Sequence, residues 1–175
     1  MQAKETEKLV KKARQKDADA FTELMQLYLK DMYRTALAIL MNDEDAADAI
    51  QDTILACWEK IDTLKSPRYF KTWMTRILIN HCCKIRKNAG NTGPLEEYEE
   101  PAVYDVYNLE FKEALSSLDE KYRVIMTLFY SGGYRIHEIA GMLKIPKSTV
   151  QTRLKRGREK LARDYYGIYK GDEIL

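Results

Sequence analysis

The chain has 175 residues, a hydrophobic fraction of 45% and a net charge of +2, the difference between 29 basic and 27 acidic side chains. This length holds one ordinary domain or two small ones, and the apolar content excludes a wholly disordered chain. Three oddly placed cysteines do not make a disulfide framework, the charged first 16 residues do not resemble a signal peptide, and no apolar run reaches the ~20 residues of a membrane span. We therefore expect a cytoplasmic protein.

The small net charge conceals segments of unlike sign. Residues 89–112 hold six acids and one base, whereas residues 144–163 hold eight bases and one acid. A basic segment of this kind suits a nucleic-acid partner even in a chain that is nearly neutral as a whole.

The N-terminal half predicts three helices. Apolar residues at spacings of three and four from Phe21 to Leu40 indicate one long amphipathic helix. Asn42 is a suitable cap for a second helix, because its side chain accepts hydrogen bonds from backbone N–H groups. The apolar positions of this helix are Ala46, Ile50, Thr53, Ile54, Cys57 and Ile61, opposite an acidic face.

A third helix begins at Ser66-Pro67, where proline occupies the first turn at no cost in hydrogen bonds. Its apolar positions are Phe70, Trp73 and Ile77, with Met74 and Leu78 as secondary candidates, and it ends in a basic stretch, Lys84-Ile-Arg-Lys87.

Glycine, proline, asparagine and acids gather from residue 88 onward and predict a linker. We expect an N-terminal domain at 1–88, a linker at 89–106 and a C-terminal domain at 107–175. Five acids and no base lie between Pro94 and Asp105, and this stretch suits either a mimic of a nucleic-acid backbone or a simple flexible tether.

The C-terminal half begins with two predicted helices. The first is short, from Leu109 to Ser117. The second is capped by Asp119 and ends at Gly132-Gly133, and its buried stripe is Tyr122, Ile125, Leu128 and Phe129. No segment shows sustained period-two alternation. The predicted fold class is therefore all-α, with two small helical domains.

Residues 135–161 have the pattern of a helix-turn-helix. The first helix would bury Ile136, Ile139, Ala140 and Leu143, and the turn is Lys144-Ile145. The second helix would bury Val150, Leu154, Gly157 and Leu161.

The outer face of the second helix then carries short hydroxyls and cations: Lys147, Ser148, Thr149, Thr152, Arg153, Lys155 and Arg156, with Arg158 beside them. Hydroxyls and arginines near the start of a recognition helix reach base edges, while flanking cations neutralise phosphates. The alternative is an ordinary solvated basic helix. The tight turn, the small residue at the crossing and the eight-to-one excess of bases favour DNA binding.

Two segments together resemble a bacterial sigma factor of the extracytoplasmic-function (ECF) class of the sigma-70 superfamily. The first is Asp45-Ala-Ala-Asp-Ala-Ile-Gln-Asp-Thr-Ile54 with Trp58, followed by Tyr69-Phe-Lys-Thr-Trp-Met-Thr-Arg-Ile-Leu-Ile-Asn80. The second runs from Leu115 to Leu161. The resemblance covers nearly everything from Ala18 to Leu161 except the linker.

The resemblance implies three binding functions. The acidic helix would dock on core RNA polymerase through Asp48, Gln51, Asp52 and Glu59. The next loop and helix would bind and open the promoter's −10 element through Lys65, Ser66, Arg68, Tyr69, Asn80, Lys84 and Arg86. The helix-turn-helix would recognise the −35 element in the major groove. Members of the family are often inhibited by an anti-sigma protein, commonly membrane-bound.

Some features stay open or depart from the family pattern. Phe70 and Trp73 could stack on a base, but their helical spacing favours the core. The helix-turn-helix turn usually carries glycine, and Lys144 stands there. The tail from Asp164 to Leu175 has no counterpart that we can assign.

We expect no enzyme, no cofactor and no metal site. The His81-Cys82-Cys83 stretch lacks the usual ligand spacing of a zinc site, and no nucleotide-binding or nucleophile motif is present. A stand-alone helix-turn-helix regulator is the alternative function. It leaves the acidic helix and the Tyr69–Asn80 segment without a role, so the sequence favours a sigma factor.

Overall fold

The computed structural model describes residues 2–90, 113 and 116–171, with side chains for those between 4 and 164. All regular structure in these ranges is helical, which confirms the predicted fold class. The chain divides into two units, Met1–Gly93 and Pro94–Leu175. Nearly all of the predicted linker and most of the predicted Leu109–Ser117 helix lie outside the described residues.

The first unit contains four helices and two short 3-10 turns. In chain order these are α1 (Gln2–Arg14), α2 (Ala18–Leu40), α3 (Asp43–Lys60), the turns Ile61–Thr63 and Pro67–Tyr69, and α4 (Phe70–Ala89). Helices α2, α3 and α4 are the three that the sequence predicts. Within the described ranges, no helix is long and apolar enough to cross a membrane.

Helix α1 was not predicted. It buries only Leu9, Val10 and Ala13, and its other positions are mostly charged. Three apolar residues in a charged stretch give a weak periodic signal, so packing on α2, rather than the helix's own pattern, reveals its inner face.

Side-chain caps fix the starts of α2 and α3. The carboxylate of Asp17 accepts a hydrogen bond from the Ala20 N–H at 3.0 Å, and Asn42 accepts one from the Asp45 N–H at 2.9 Å. The second of these is the predicted cap. Between the two helices, Met41 adopts a left-handed backbone with φ 53°, which ends α2 and turns the chain sharply into α3.

Helices α2, α3 and α4 pack together around a shared core. Small or slender residues of α3 are buried on its inner face, namely Ala46, Ala49, Thr53 and Cys57. From α4 the fully buried large side chains are Phe70, Met74 and Leu78. Our assignment of Trp73 and Ile77 to the core was therefore too strong: both are half-buried at the edge of this stripe. The four-residue repeat from Phe70 through Cys82 is the true inner face.

The connection between α1 and α2 holds the end of α3. Lys16 has a left-handed backbone (φ 65°), and its ammonium donates to the Trp58 carbonyl at 2.7 Å. The same ammonium lies 5.1 Å from the centre of the Trp58 ring, which in turn lies 5.0 Å from the Phe21 ring. A cation at a helix C-terminus satisfies an otherwise unpaired carbonyl and favours the helix dipole.

The second unit contains three described helices. These are α5 (Glu120–Met126), which continues into a π-helical turn at Thr127–Ser131, α6 (Ile136–Leu143) and α7 (Lys147–Gly171). Ile125 and Leu128 are buried as predicted, whereas Tyr122 and Phe129 are only half-buried. Helix α7 continues into the tail for which the sequence offered no assignment.

Two adjacent glycines end the π-helical turn for different reasons. Gly132 has an ordinary φ of −78°, but an added Cβ would lie 2.6 Å from the Tyr134 ring and 2.8 Å from the Leu128 carbonyl oxygen. Gly133 has a φ of +69°, and a Cβ there would meet nothing within 4 Å. The first glycine is therefore required by space and the second by backbone conformation.

This difference predicts that alanine lowers the free energy of unfolding by different amounts at the two glycine positions. Gly132→Ala should destabilise the second unit by about 2 to 3 kcal/mol through overpacking. Gly133→Ala should cost only the ~1 kcal/mol of a left-handed alanine. Both tryptophans belong to the first unit. In urea unfolding, the transition of the second unit, followed by far-ultraviolet circular dichroism, should shift to lower urea. The transition followed by tryptophan emission, which reports the first unit, should keep its midpoint. Equal costs for the two variants would contradict the packing argument.

Candidate functional site

The outer face of α3 is acidic and exposed. Asp48, Gln51, Asp52 and Glu59 are all exposed. At about 100° per residue they fall within roughly 100° of arc. The inner positions Ala49, Thr53 and Cys57 bury the opposite side of the helix. The structure therefore brings these four predicted polymerase contacts onto one surface.

Leu55 lies at the centre of this acidic face and was missed by the sequence analysis. Its side chain is 62% exposed, the highest exposure among the large apolar side chains described as exposed. Its spacing of seven residues from Asp48 and four from Gln51 and Glu59 was the available signal. A large apolar side chain ringed by polar ones is typical of the core of a protein–protein interface.

The acidic face is also tied to α4. The Nδ1 atom of His81 lies 3.8 Å from a carboxylate oxygen of Asp52. The Asp52 side chain remains 59% exposed, so this contact leaves the carboxylate accessible to a partner.

The loop before α4 presents a second set of predicted site residues. Ile61, Leu64 and Phe70 are buried and anchor the loop at both ends. Between them Lys65 and Arg68 are exposed, Ser66 is half-buried and Tyr69 is 50% exposed. The Arg68 guanidinium donates to the Tyr69 hydroxyl at 2.7 Å and lies 4.6 Å from the centre of the Tyr69 ring. The loop thus offers a cation and an aromatic ring, the groups that bind an unstacked strand.

The outer face of α4 carries only part of the predicted set. Asn80 and Lys84 are exposed and share a face, whereas Arg86 is exposed about 160° away from Lys84. Arg76 and Lys87 are exposed on the same face as Asn80 and were missed, although the four-residue spacing from Arg76 to Lys84 was visible. The half-buried Trp73 and Ile77 lie along this face. The Trp73 ring contacts that of Phe70 at 5.8 Å.

The helix-turn-helix forms as predicted at α6 and α7. Lys144 ends α6 with φ 55° and ψ 44°, so the turn keeps the left-handed form that glycine usually provides. The Lys144 and Ile145 N–H groups both donate to the Ala140 carbonyl. At the other end of α6, the Arg135 N–H donates to the Glu138 carboxylate at 2.8 Å. Ile139, Ala140 and Met142 are buried, while Ile136 and Leu143 are half-buried.

Helix α7 divides its faces largely as the sequence analysis predicts, except that Leu161, which was expected to be buried, is half-buried. Val150 and Leu154 are buried, and Gly157 packs so closely that a Cβ would lie 3.1 Å from the Met126 sulfur. Opposite them Ser148, Thr152, Lys155 and Arg156 are exposed. Thr149 and Arg153 are half-buried at the edge of the buried stripe, and Lys147 is exposed at the first position. The Thr152 hydroxyl donates to the Ser148 carbonyl at 2.9 Å.

Cys57 and Cys82 are buried, and Cys83 is half-buried. Burial raises the pKa of the Cys57 thiol to about 12, and burial is also the main cause that raises the pKa of Cys82 to about 12. No group of three or more metal-ligating side chains occurs among the residues that the structure describes. Thiols of this kind act as small apolar side chains.

Comparison with known families identifies both units. The model described as Sigma-70 region 2 matches residues 24–91, and the model described as Sigma-70, region 4 matches residues 108–161. The ECF RNA polymerase sigma factor SigW of Bacillus subtilis is 31% identical over 88% of this chain and 93% of its own length. The ECF RNA polymerase sigma factor SigM of Mycobacterium tuberculosis is 29% identical over 84% of this chain and 78% of its own length.

Two solved structures have the same fold. One is CnrH in complex with the cytosolic domain of CnrY, with a TM-score of 0.70, 23% identity and coverage of 93% of this chain and 98% of that one. The other is the sigma factor RpoE of Bartonella quintana in complex with the anti-sigma factor NepR. Its TM-score is 0.67 at 24% identity, with coverage of 85% of this chain and 97% of that one.

Proposed function

The chain belongs to the ECF sigma factors of the sigma-70 family, which bind core RNA polymerase and direct promoter-specific transcription initiation, and we propose that its two units divide this work. Residues 1–88 would bind core polymerase and open the −10 element, residues 107–175 would recognise the −35 element, and residues 89–106 would join them. The observation that carries this proposal is the presence of both sigma regions, in this order, on one chain.

For the polymerase contact, we propose the outer face of α3. Asp48, Gln51, Asp52 and Glu59 would meet basic side chains, with Leu55 buried at the centre of the interface. Polar groups around an apolar centre exclude water and fix orientation. The exposure of all five side chains and their common face support this assignment.

For the −10 element, we propose the loop before α4 together with the outer face of α4. Tyr69 would stack on an unpaired base, and Lys65 and Arg68 would guide the strand. Asn80 and Lys84 would continue the surface with the exposed Arg76. A stacking ring flanked by cations is the usual composition of a single-strand site. Ser66 is half-buried and Arg86 lies off this face, so we assign them the weaker contributions.

For the −35 element, we propose the outer face of α7 in the major groove. Ser148, Thr149, Thr152, Arg153 and Arg156 would face the bases, and Lys147 and Lys155 the phosphates. The buried seam through Val150, Leu154 and Gly157 holds the helix with Ser148, Thr152 and Arg156 on its exposed side, which supports this assignment. The stand-alone regulator alternative gives residues 24–91 no role and is the weaker interpretation.

We further propose that the chain acts in the cytoplasm by binding rather than by catalysis. An anti-sigma protein is a proposed partner, because the similar RpoE structure is a complex with the anti-sigma factor NepR, and the CnrH structure is also a complex with another protein, the cytosolic domain of CnrY.

The function is tested by reconstitution. The protein is mixed with core polymerase purified from the same organism and with fragmented genomic DNA, and the 5′ ends of the transcripts are sequenced. We expect new start sites that share a pair of upstream motifs and that core polymerase alone does not produce. A protein that retards DNA fragments without core polymerase and yields no new starts would instead be a stand-alone regulator.

The assignment of α7 is tested with Arg156→Ala on a promoter selected in this way. Loss of a bidentate base contact should cost about 1 to 3 kcal/mol and relax preference at one position of the upstream motif. Core binding should be unchanged. Arg163→Ala is the matched control, since Arg163 is an exposed arginine on the same helix two turns further along. A parallel loss of core binding would show that the division of work is wrong.

The assignment of α3 is tested with the double variant Asp48→Lys and Asp52→Lys. Reversed charge should lower affinity for core polymerase by about tenfold or more through like-charge repulsion. The control is Asp19→Lys with Glu23→Lys, an exposed pair with the same spacing on α2. Both variants change the net charge equally. If they assemble with core polymerase equally well, the acidic face is not the docking surface.

A further inference from the structure

Helix α1 carries a basic face that neither the sequence analysis nor the sigma-70 region 2 match, which begins at residue 24, assigns to a function. Lys4, Lys8, Lys11 and Lys12 are all exposed. At about 100° per residue, these four positions fall within roughly 100° of arc. Leu9, Val10 and Ala13 lie on the opposite side and are buried, so the lysines point away from the unit.

The charge of this lysine face is only partly offset by the two acids of α1. No ion pair joins any of the four lysines to a side chain in the described part of the chain, whereas Lys71 pairs with Asp31 at 3.1 Å. Glu5 and Glu7 are the acids of α1, and helical geometry places them at the two edges of the lysine face rather than within it.

An ordinary solvated helix face mixes the two signs of charge. The outer surface of α2 does so, with Asp19, Glu23 and Lys30 exposed on one side. Four like charges on one face repel one another and contribute nothing to the packing of α1. Such a face is typical of a helix whose partner is a polyanion.

The position of α1 indicates which polyanion its lysine face would bind. The helix lies against both 3-10 turns, Ile61–Thr63 and Pro67–Tyr69. The second turn contains Arg68 and Tyr69, and Lys65 lies between the two turns. These are the loop residues to which we assign the −10 element. If this loop binds the −10 element, DNA that enters or leaves it would pass close to α1.

We propose that the lysine face of α1 binds the phosphate backbone of promoter DNA next to the −10 element, as a contact that is independent of base sequence. This inference rests on the proposed function of the neighbouring loop. Each lysine would neutralise one phosphate and release its counterion, so the contact would appear in the salt dependence of promoter binding rather than in promoter choice.

The test uses holoenzyme and a promoter fragment selected from genomic DNA by the wild-type protein. Equilibrium binding is measured over a series of salt concentrations for Lys8→Gln with Lys12→Gln. The slope of log K against log salt should become shallower by about 1.4 to 1.8, at roughly 0.7 to 0.9 for each of the two lost phosphate contacts. The preferred promoter motifs should not change, nor should affinity for core polymerase.

Two control variants distinguish an effect of the lysine face from an effect of the unit's net charge. Lys30→Gln with Lys60→Gln removes two exposed lysines from other helices of the same unit and should leave the slope as in the wild type. Lys8→Arg with Lys12→Arg keeps the charge and should also keep the slope.

Each outcome has one meaning. A slope equal to that of the Lys30 and Lys60 control would show that the lysine face is only solvated and would overturn the proposal. Weakened core binding in the Lys8 and Lys12 variant would make the face a protein contact and would also overturn it. If the wild-type holoenzyme selects no promoter at all, the proposed function itself fails. The wild-type measurement alone reveals this outcome.

Discussion

Each long helix of this chain buries one stripe against its neighbours, and the side chains on the opposite stripe are those that a partner can meet. The packing of α3 on α4 is the centre of this arrangement. Ala49, Thr53 and Cys57 on one helix and Met74 and Leu78 on the other are buried, so the two outer faces point away from a common core. A change at this seam would therefore move an acidic surface and a basic one together, although neither surface takes part in the packing.

The separation of acidic and basic side chains onto different surfaces follows from the burial of one stripe of each long helix. The overall balance of 29 bases and 27 acids conceals several surfaces of opposite sign. The outer face of α3 is acidic, and the outer faces of α1, α4 and α7 are basic. A subunit that must meet both a protein and a nucleic acid benefits from such separation, since like charges reject the wrong partner while opposite charges steer the right one.

The sequence predicted most of the fold because its helices are long and strongly periodic. Helices α2 and α3 were found by their apolar spacing and by Asn42, a residue whose side chain acts locally. The edge of the α4 stripe was assigned less well, since Trp73 is as apolar as Met74 and only packing decides which of them the core encloses. Helix α1 was missed for a related reason: three buried residues outline a face only once α2 covers them.

The candidate site was predictable where function uses charged or hydroxyl side chains in a regular pattern. The α7 face is of this kind, and the turn before it adopts the left-handed form even with Lys144 in place of glycine. Leu55 was not predictable from its chemistry, because an apolar residue on a helix is expected to face inward. Leu55 is exposed because of its position on α3. The helical spacing predicts this outward position, whereas the apolar side chain alone would predict burial.

The two buried thiols bear on how this unit would withstand oxidants. Burial raises the pKa of both Cys57 and Cys82 to about 12, far above neutral pH, so both side chains remain protonated thiols. Peroxides attack the thiolate, so both side chains would react slowly as long as the helices remain packed. Oxidation at these two positions would therefore require α3 and α4 to separate first, whereas the half-buried Cys83 on α4 is not enclosed by the core in this way.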